Sequence, residues 1–246
     1  YGIISQAIGQ RHINIPLDKD FDIDLDKMLV AIKKYNPKLV FLSSPNNPTG
    51  NCFSSEKILR IIDESRGIVV VDEAYQPFSS KKSFLPLLKE YRNLCLLRTL
   101  SKIGFAGLRV GFLIGERELI KEVNKVRLPF NINSLSQALA IKAFKNKSII
   151  DSQIKRIMSE RERIYEELKK IKGINPYLSE ANFILFRLKH SDKVYQELIK
   201  KGILIRNLGS HIKDALRVTI GTSQENDLFL NALKKIIGGT SEKGKD

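Results

Sequence analysis

The sequence contains very little cysteine, with Cys52 and Cys95 as the two cysteines among its 246 residues. They have no Cys-x-x-Cys spacing, which argues against a disulfide framework and against a zinc site. No apolar run reaches the roughly 18 residues that a membrane-spanning helix needs, and no internal repeat is present. We therefore expect a protein of the reduced cytoplasm, long enough for one large domain or two small ones.

The sequence is also short of acidic residues. It carries 42 Lys and Arg against 27 Asp and Glu, a formal net charge of +15. Such a surplus can indicate nucleic-acid binding. However, the cations alternate with acids, as in residues 155–172, and no basic stripe carries regular aromatic side chains for base stacking. The composition therefore favours a lysine-rich solvated surface, which can attract anionic substrates, and disfavours a nucleic-acid partner.

Short apolar runs predict the strands of a central sheet. They lie at residues 39–42, 68–71, 94–97 and 110–114. Amphipathic helices are predicted among them, one near residue 25 and one from about Ser55 to Ser65. Uniformly apolar strands alternating with helices indicate an α/β fold, with a mostly parallel sheet covered on both faces.

The pattern changes in the second half of the chain. A helix capped by Asn133 or Ser134 is expected to turn Leu135, Ala138 and Leu139 inward. A long helix over 150–171 has a charged face that we expect to be solvated. Short strands near 182–188, 202–206 and 216–220 and a closing helix over 224–237 follow, the helix beginning at a capping box of Thr222 and Glu225. We predict a large α/β domain over 1–145, a smaller α+β domain over 146–237 and a disordered tail over 238–246.

Polar side chains follow three of the predicted strands. Asn47, Asp72 and Lys102 each come after a strand end, and ligands of α/β sheets bind beyond the carboxyl ends of the strands. Lys102 can form a Schiff base with an aldehyde. The hydroxyls of Thr99 and Ser101 and a nearby arginine can hold a phosphate. A surface lysine in a turn is the alternative for a Ser-Lys pair taken alone.

Asp72 follows three valines, and a carboxylate buried at a strand end needs a cationic or hydrogen-bonding partner. A protonated pyridine nitrogen would be such a partner and would keep a pyridine ring an electron sink. The run VVVDEA also looks like the acidic strand end of an NTPase. That alternative requires a GxxxxGK[ST] phosphate loop, which this chain does not contain.

Five motifs, in one order and at compatible spacings, then carry a resemblance. They are SPNNPTG, VVVDEAYQPF, RTLSKIGFAGLRVGF, EANFILFRL and GILIRNLG with LRVTIGT. Together they resemble the fold-type-I pyridoxal-phosphate aminotransferases, and within these the histidinol-phosphate aminotransferases. The resemblance covers residues 1–237 and implies that fold, with pyridoxal phosphate as the cofactor.

The resemblance also implies roles for single residues. Lys102 would form the Schiff base to the cofactor and move the proton during catalysis. Asp72 would pair with the ring nitrogen, while Tyr75 and Asn47 would hydrogen-bond the phenolic oxygen of the ring. Tyr1 would stack on the ring, although a frayed terminal residue is the alternative.

Further residues are assigned in the same way. Ser101 and Arg109 would bind the cofactor phosphate, with Thr99 a weaker candidate. Arg206 and Arg217 would hold the anionic end of the substrate, and structural salt bridges are the alternative for each. Asn182 would lie on the substrate side, unless it only orders the backbone.

The implied activity is transamination of L-histidinol phosphate with 2-oxoglutarate in histidine biosynthesis, by a homodimer acting on small molecules. Related reactions on the same scaffold remain open, namely aromatic transamination and threonine-phosphate decarboxylation. The resemblance further implies a segment ahead of Tyr1 in relatives. We expect this chain to lack it, which leaves an inactive fragment as another alternative.

Overall fold

A computed structural model describes residues 1–242 of the chain. Eight α-helices lie within these residues. They are α1 (Gly2–Ala7), α2 (Leu25–Tyr35), α3 (Ser55–Glu64), α4 (Arg117–Val126), α5 (Ser134–Lys145), α6 (Lys147–Lys169), α7 (Ser191–Lys200) and α8 (Ser223–Glu242). No helix of this described part combines the length and hydropathy required to cross a membrane.

Within residues 1–242, eight strands form two separate four-stranded sheets. They are β1 (Leu39–Ser43), β2 (Ile68–Asp72), β3 (Leu94–Thr99), β4 (Gly111–Gly115), β5 (Ile174–Pro176), β6 (Phe183–Leu188), β7 (Arg206–Asn207) and β8 (Ala215–Thr219). The prediction of a mostly parallel central sheet flanked by helices, with a further α+β part, is confirmed. Strand β5 was not predicted, because three residues are too few to show a periodicity.

The chain divides into two compact units. The first contains residues 1–45, 51–76 and 81–145, and the second contains residues 46–50, 77–80 and 146–246. Two short segments that follow β1 and β2 therefore belong with the second unit.

The sheet of the first unit has the order β1-β2-β3-β4, with three parallel strands and β4 antiparallel to β3. Its core is formed by the apolar face of α3, with Ile58, Ile61 and Ile62 almost fully buried, against the valines of β2. Parallel strands end at the same edge of a sheet, so this sheet brings the ends of β1, β2 and β3 together.

Burial on both faces holds for the centre of this sheet but not for its outer strands. In β2, three consecutive valines are buried. In β1 and β4, Leu39, Phe41 and Phe112 are exposed. The prediction of a fully covered sheet is therefore wrong at its edges. An apolar run indicates that a strand can be buried, but it does not show whether another element packs on each face of that strand.

The prediction for α5 is half right. Asn133 caps the helix, its Oδ1 accepting the N–H of Ser136 at 2.8 Å. Leu135, Ala138 and Leu139, however, are exposed, and the buried positions are Ser136, Ala140 and Ala143. The apolar spacing identified two faces of one helix, and only packing decided which of them faces the core.

The second unit contains an antiparallel sheet of order β5-β6-β8-β7. Ile184 and Phe186 of β6, Ile164 and Leu168 of α6, and Leu198 of α7 are fully buried in its core. Strand β7 shares only Arg206 with the strand predicted over 202–206, so that prediction is wrong over 202–205.

Helix α8 begins at the predicted capping box, where Glu225 accepts hydrogen bonds from the backbone N–H and the hydroxyl of Thr222 at 2.8 Å each. The helix continues to Glu242 instead of ending near Ile237. The tail predicted to be disordered is thus helical up to Glu242, and its last residues, 243–246, lie outside the described part.

Candidate active site

Asp72 and Lys102 lie at the carboxyl edge of the first sheet. Asp72 is the last residue of β2 and pairs in register with Leu97 of β3. Lys102 follows the end of β3 by three residues, in a turn over Ser101–Phe105 that is not a regular helix, because Ile103 and Gly104 have non-helical backbone angles. Gly104 has a φ of +101°, which allows the chain to reverse there. Side chains around this turn, including Ile103 and Phe105, pack with Leu100 against Ala140 of α5.

The Asp72 carboxylate has a hydrogen-bond donor on each oxygen. Its Oδ1 accepts the N–H of Ala74 at 3.0 Å, and its Oδ2 accepts the hydroxyl of Tyr1. The Tyr1 ring stacks on Phe41, with 4.2 Å between the ring centroids. Partial burial, together with the hydrogen bond to Asp72 and its charge, raises the pKa of the Tyr1 hydroxyl. Tyr1 therefore stays a neutral donor to Asp72.

Lys102 lies beside Tyr75, whose ring is almost completely buried. The Lys102 Nζ is 5.3 Å from the centroid of that ring, a cation–π distance. Within the described residues, the Lys102 ammonium makes no hydrogen bond or ion pair with a side chain or the backbone. Its Nζ is therefore not held by a carboxylate.

The residues expected to bind a phosphate have different surroundings. The hydroxyl of Thr99 is already hydrogen-bonded within the protein. Its Oγ1 donates to the carbonyl of Val110 at 3.3 Å and accepts the N–H of Ser101 at 3.0 Å. Arg109 is exposed, with a φ of +56°, and its guanidinium makes one long hydrogen bond of 3.4 Å, to Ala106. Ser101 and Arg109 are thus better placed than Thr99 to bind an anion.

These residues fit pyridoxal phosphate. Oδ2 of Asp72 already accepts one neutral donor, Tyr1, and can equally accept the N–H of a pyridinium ring. Lys102 provides an amine that no acid neutralises, and Ser101 and Arg109 provide hydroxyl and guanidinium donors. An aldehyde, a ring nitrogen and a phosphate each have a matching group on this one edge.

The candidate substrate residues lie in the second unit. Arg206 of β7 is directly opposite Arg217 of β8 in the antiparallel register. Arg217 donates to Oδ1 of Asn47, and its guanidinium lies 4.7 Å from the ring centroid of Phe183. Two like charges facing each other across strands are unfavourable unless an anion lies between or near them.

The structure places Asn47 with Arg217, in the unit that does not contain Asp72 and Lys102. Asn182 is half-buried, and its backbone carbonyl accepts the N–H of Ile220 at 2.9 Å. The role of its side chain stays a prediction.

Two buried charged side chains, Glu73 and Arg161, were missed. Glu73 is fully buried in an ion pair with Arg98. Arg161, among the apolar positions of α6, is 4% exposed and donates to the carbonyls of Phe78 and Ala181 at 2.9 and 3.0 Å. The charges of Glu73 and Arg98 at the ends of apolar strands were a usable signal. The position of Arg161 was another, because it lies four residues after Ile157 and three before Ile164, in the apolar stripe of α6.

Comparison with known proteins gives a consistent result. The family model for class I and II aminotransferases matches residues 3–233. Histidinol-phosphate aminotransferases of Caldanaerobacter subterraneus subsp. tengcongensis and Thermoanaerobacter pseudethanolicus are 41% and 43% identical over 240 residues, which is 96% of this chain and 68% of each relative.

Solved structures agree with these relatives. Histidinol-phosphate aminotransferase from Clostridium acetobutylicum matches with a TM-score of 0.90 and 29% identity, over 97% of this chain and 75% of that one. The enzyme from Sinorhizobium meliloti, solved in complex with pyridoxal-5'-phosphate, matches with a TM-score of 0.87 and 25% identity, over 97% and 67%.

Proposed function

We propose that this chain, which belongs to the family of class I and II aminotransferases, transfers the amino group of L-histidinol phosphate to 2-oxoglutarate with pyridoxal phosphate as its cofactor. The observation that carries the proposal is the placement of Asp72 and an unpaired Lys102 at one sheet edge. The activity of the relatives named above supports the choice of substrate.

When bound, pyridoxal phosphate supplies an aldehyde that links to amines and a ring that takes up electrons from the substrate carbon. Lys102 would hold the aldehyde carbon and then move a proton from the substrate carbon that carries the amine. Asp72 would hold the protonated ring nitrogen through Oδ2, in place of the Tyr1 hydroxyl. The Tyr1 ring would then be able to stack on the cofactor ring.

The remaining cofactor contacts follow from the donors present. Tyr75 and Asn47 would donate hydrogen bonds to the phenolic oxygen of the ring. Ser101 and Arg109 would bind the phosphate, with Thr99 holding the backbone of Ser101 in place. A guanidinium fork and a hydroxyl are a suitable donor set for phosphate oxygens.

Arg206 and Arg217 would bind the anionic end of each substrate. In histidinol phosphate that end is a phosphate, and in 2-oxoglutarate or glutamate it is a carboxylate. Both anions would relieve the repulsion between the facing arginines, so one pair can serve both half-reactions. Asn182 would lie on the substrate side and order the chain near them.

We further propose that the enzyme is a homodimer. On α5, four apolar side chains are more than a third exposed, namely Leu135, Leu139, Ile141 and Phe144. Leu135 and Leu139 are four residues apart and share one face of the helix, and neighbouring exposed apolar side chains on a folded protein indicate an interface. We also propose a reducing, cytoplasmic setting, which the low cysteine content of the sequence favours.

The test compares the unmodified chain with Lys102→Ala and with Lys89→Ala, which removes an exposed lysine of the same unit. After pyridoxal phosphate is added and the excess removed, the unmodified chain and Lys89→Ala should keep a cofactor absorbance band that histidinol phosphate changes. Lys102→Ala should lose the band, with activity reduced by about 10³-fold or more.

Three results would contradict parts of this proposal. A Lys102→Ala chain that keeps both the band and the activity would contradict the role of the lysine. Faster turnover of phenylalanine, or carbon dioxide release from threonine phosphate, would indicate one of the related reactions. An unmodified chain that binds no cofactor would indicate an inactive fragment.

A further inference from the structure

The ion pair between Glu73 and Arg98 joins the ends of the two strands that carry the candidate active site. Glu73 directly follows Asp72, and Arg98 lies in β3, four residues before Lys102. The Glu73 side chain is fully buried, while that of Arg98 is about one quarter exposed. The backbone N–H of Glu73 also donates to the carbonyl of Leu97, at 2.9 Å.

Every contact of the Glu73 carboxylate is to a residue outside the site. Oε2 accepts Nη2 and Nε of Arg98 at 2.6 and 2.7 Å and the hydroxyl of Ser83 at 2.9 Å. Oε1 accepts the N–H of Phe84 at 2.8 Å. Arg98 Nη2 also donates to Ser83 Oγ at 2.8 Å, which closes the network. Glu73 thus fixes Arg98 and the 83–84 turn while its neighbour Asp72 points to the cofactor residues.

Stability alone does not account for such a pair. Removing two charges from water costs several kcal/mol per ion, and an apolar pair of similar volume is often as stable or more stable. A buried ion pair does, however, tolerate few arrangements, because each hydrogen bond must be kept. It therefore sets the relative position of β2 and β3 more narrowly than apolar packing would.

We infer that Glu73 and Arg98 are positioning residues, which hold Asp72 and Lys102 at the mutual spacing that the cofactor needs. This inference rests on the proposed function for its purpose, but its structural part concerns only this chain. Ala74 provides a direct reporter, because its N–H is bonded to Oδ1 of Asp72 and its hydrogen exchange follows the placement of that carboxylate.

The experiment compares Glu73→Gln with Glu64→Gln, which removes an exposed carboxylate paired with Arg60 in the same unit. Hydrogen exchange on the full chain should show faster exchange at Ala74 in Glu73→Gln, with the amides of β2 unchanged. Glu73→Gln should bind pyridoxal phosphate about tenfold more weakly, because Asp72 and Lys102 would no longer be held at the required spacing. The pH midpoint of its absorbance band should also shift, and Glu64→Gln should match the unmodified chain in all three measurements.

A second variant covers the case in which Glu73→Gln does not fold. Ser83→Ala removes one hydroxyl of the network, and should cause smaller changes of the same sign in Ala74 exchange and in cofactor binding. Unchanged Ala74 exchange in a folded Glu73→Gln or Ser83→Ala chain would overturn the inference. So would faster exchange spread equally over β2, since that is the result of a general loss of stability. If the unmodified chain binds no pyridoxal phosphate, the proposed function fails, and the exchange of Ala74 still decides the positioning role.

Discussion

At the scale of single residues, the site depends on where charges have partners. Asp72 and Glu73 are consecutive, yet Asp72 accepts hydrogen bonds at the sheet edge, whereas Glu73 forms a buried ion pair with Arg98. Successive side chains of an extended segment point in opposite directions, which separates the two carboxylates. One of them is therefore available to a ligand, and the other serves the fold.

The facing arginines give the first prediction. Arg206→Gln should raise the KM for histidinol phosphate about tenfold or more, because one charge-assisted hydrogen bond contributes roughly 1.5–3 kcal/mol. The cofactor absorbance should stay unchanged. Steady-state kinetics would measure this, with Lys193→Gln on the exposed face of α7 as the control. Equal KM values for both variants would show that Arg206 is not in contact with the substrate.

At the scale of elements, the sheet of the first unit depends on close approach of the backbone. Gly67 lies between α3 and β2. A Cβ placed there would be 2.2 Å from the carbonyl oxygen of Pro37, just ahead of β1. No side chain fits into that space, so the glycine allows β1 and β2 to pair from their first residues.

Gly67→Ala should accordingly lower the free energy of unfolding by about 1–3 kcal/mol, the usual cost of overpacking. Gly107→Ala is the matched control, since a Cβ there meets nothing within 4 Å, and it should change stability by less than about 0.5 kcal/mol. Denaturant titrations of both variants provide the measurement. A Gly67→Ala chain as stable as the control would mean that β1 and β2 can shift apart at no cost.

An ion pair between Glu167 and Lys234 connects helices α6 and α8. Hydrogen bonds from Lys170 and Lys234 lower the pKa of Glu167 to about 2, from an ordinary value of 4.5. The lysines are 2.6 and 2.8 Å from its carboxylate. Because the pKa is lower in the folded state than in the unfolded state, the pair stabilises the fold above about pH 4.5. That contribution is lost as the pH falls toward 2.

The free energy of unfolding of Glu167→Gln should therefore be below that of the unmodified chain at pH 7, with the difference vanishing between pH 5 and pH 2. Urea titrations across this range, at low salt, would measure it. A difference that stays constant with pH would argue that the carboxylate acts through packing and not through its charge.

At the scale of the whole molecule, the exposed apolar side chains of α5 bear on assembly. Leu135 and Leu139 were predicted to face the core, and both are exposed. If a second copy of the chain covers them, they are buried against that copy and not against the core of their own chain. The spacing of apolar residues along a helix is the same whether the helix packs on its own core or on a partner subunit. A measurement of the oligomeric state therefore shows whether these leucines are buried at a dimer interface.

Leu139→Asp should weaken the dimer by at least about tenfold in Kd, because a charge would be buried in an apolar contact. Sedimentation velocity over a range of concentrations would measure the change. Leu228→Asp is the control, an exposed leucine on α8 of the other unit. A monomeric unmodified chain, or equal dissociation constants for the two variants, would contradict the proposed interface.

Apart from α1 and β5, the sequence by itself determined the order of strands and helices, the caps of α5 and α8, and the strand ends that carry Asp72 and Lys102. These follow from local periodicity, and parallel strands place their ends on one edge whatever the packing around them. Only the tertiary structure decided that Glu73 forms a buried ion pair with Arg98, that Tyr1 reaches Asp72 and that α5 turns its leucines outward. Those contacts join residues that are distant in the chain. Whether a charge or a helix face is buried depends on the elements that pack against it, and a local sequence pattern does not show which elements these are.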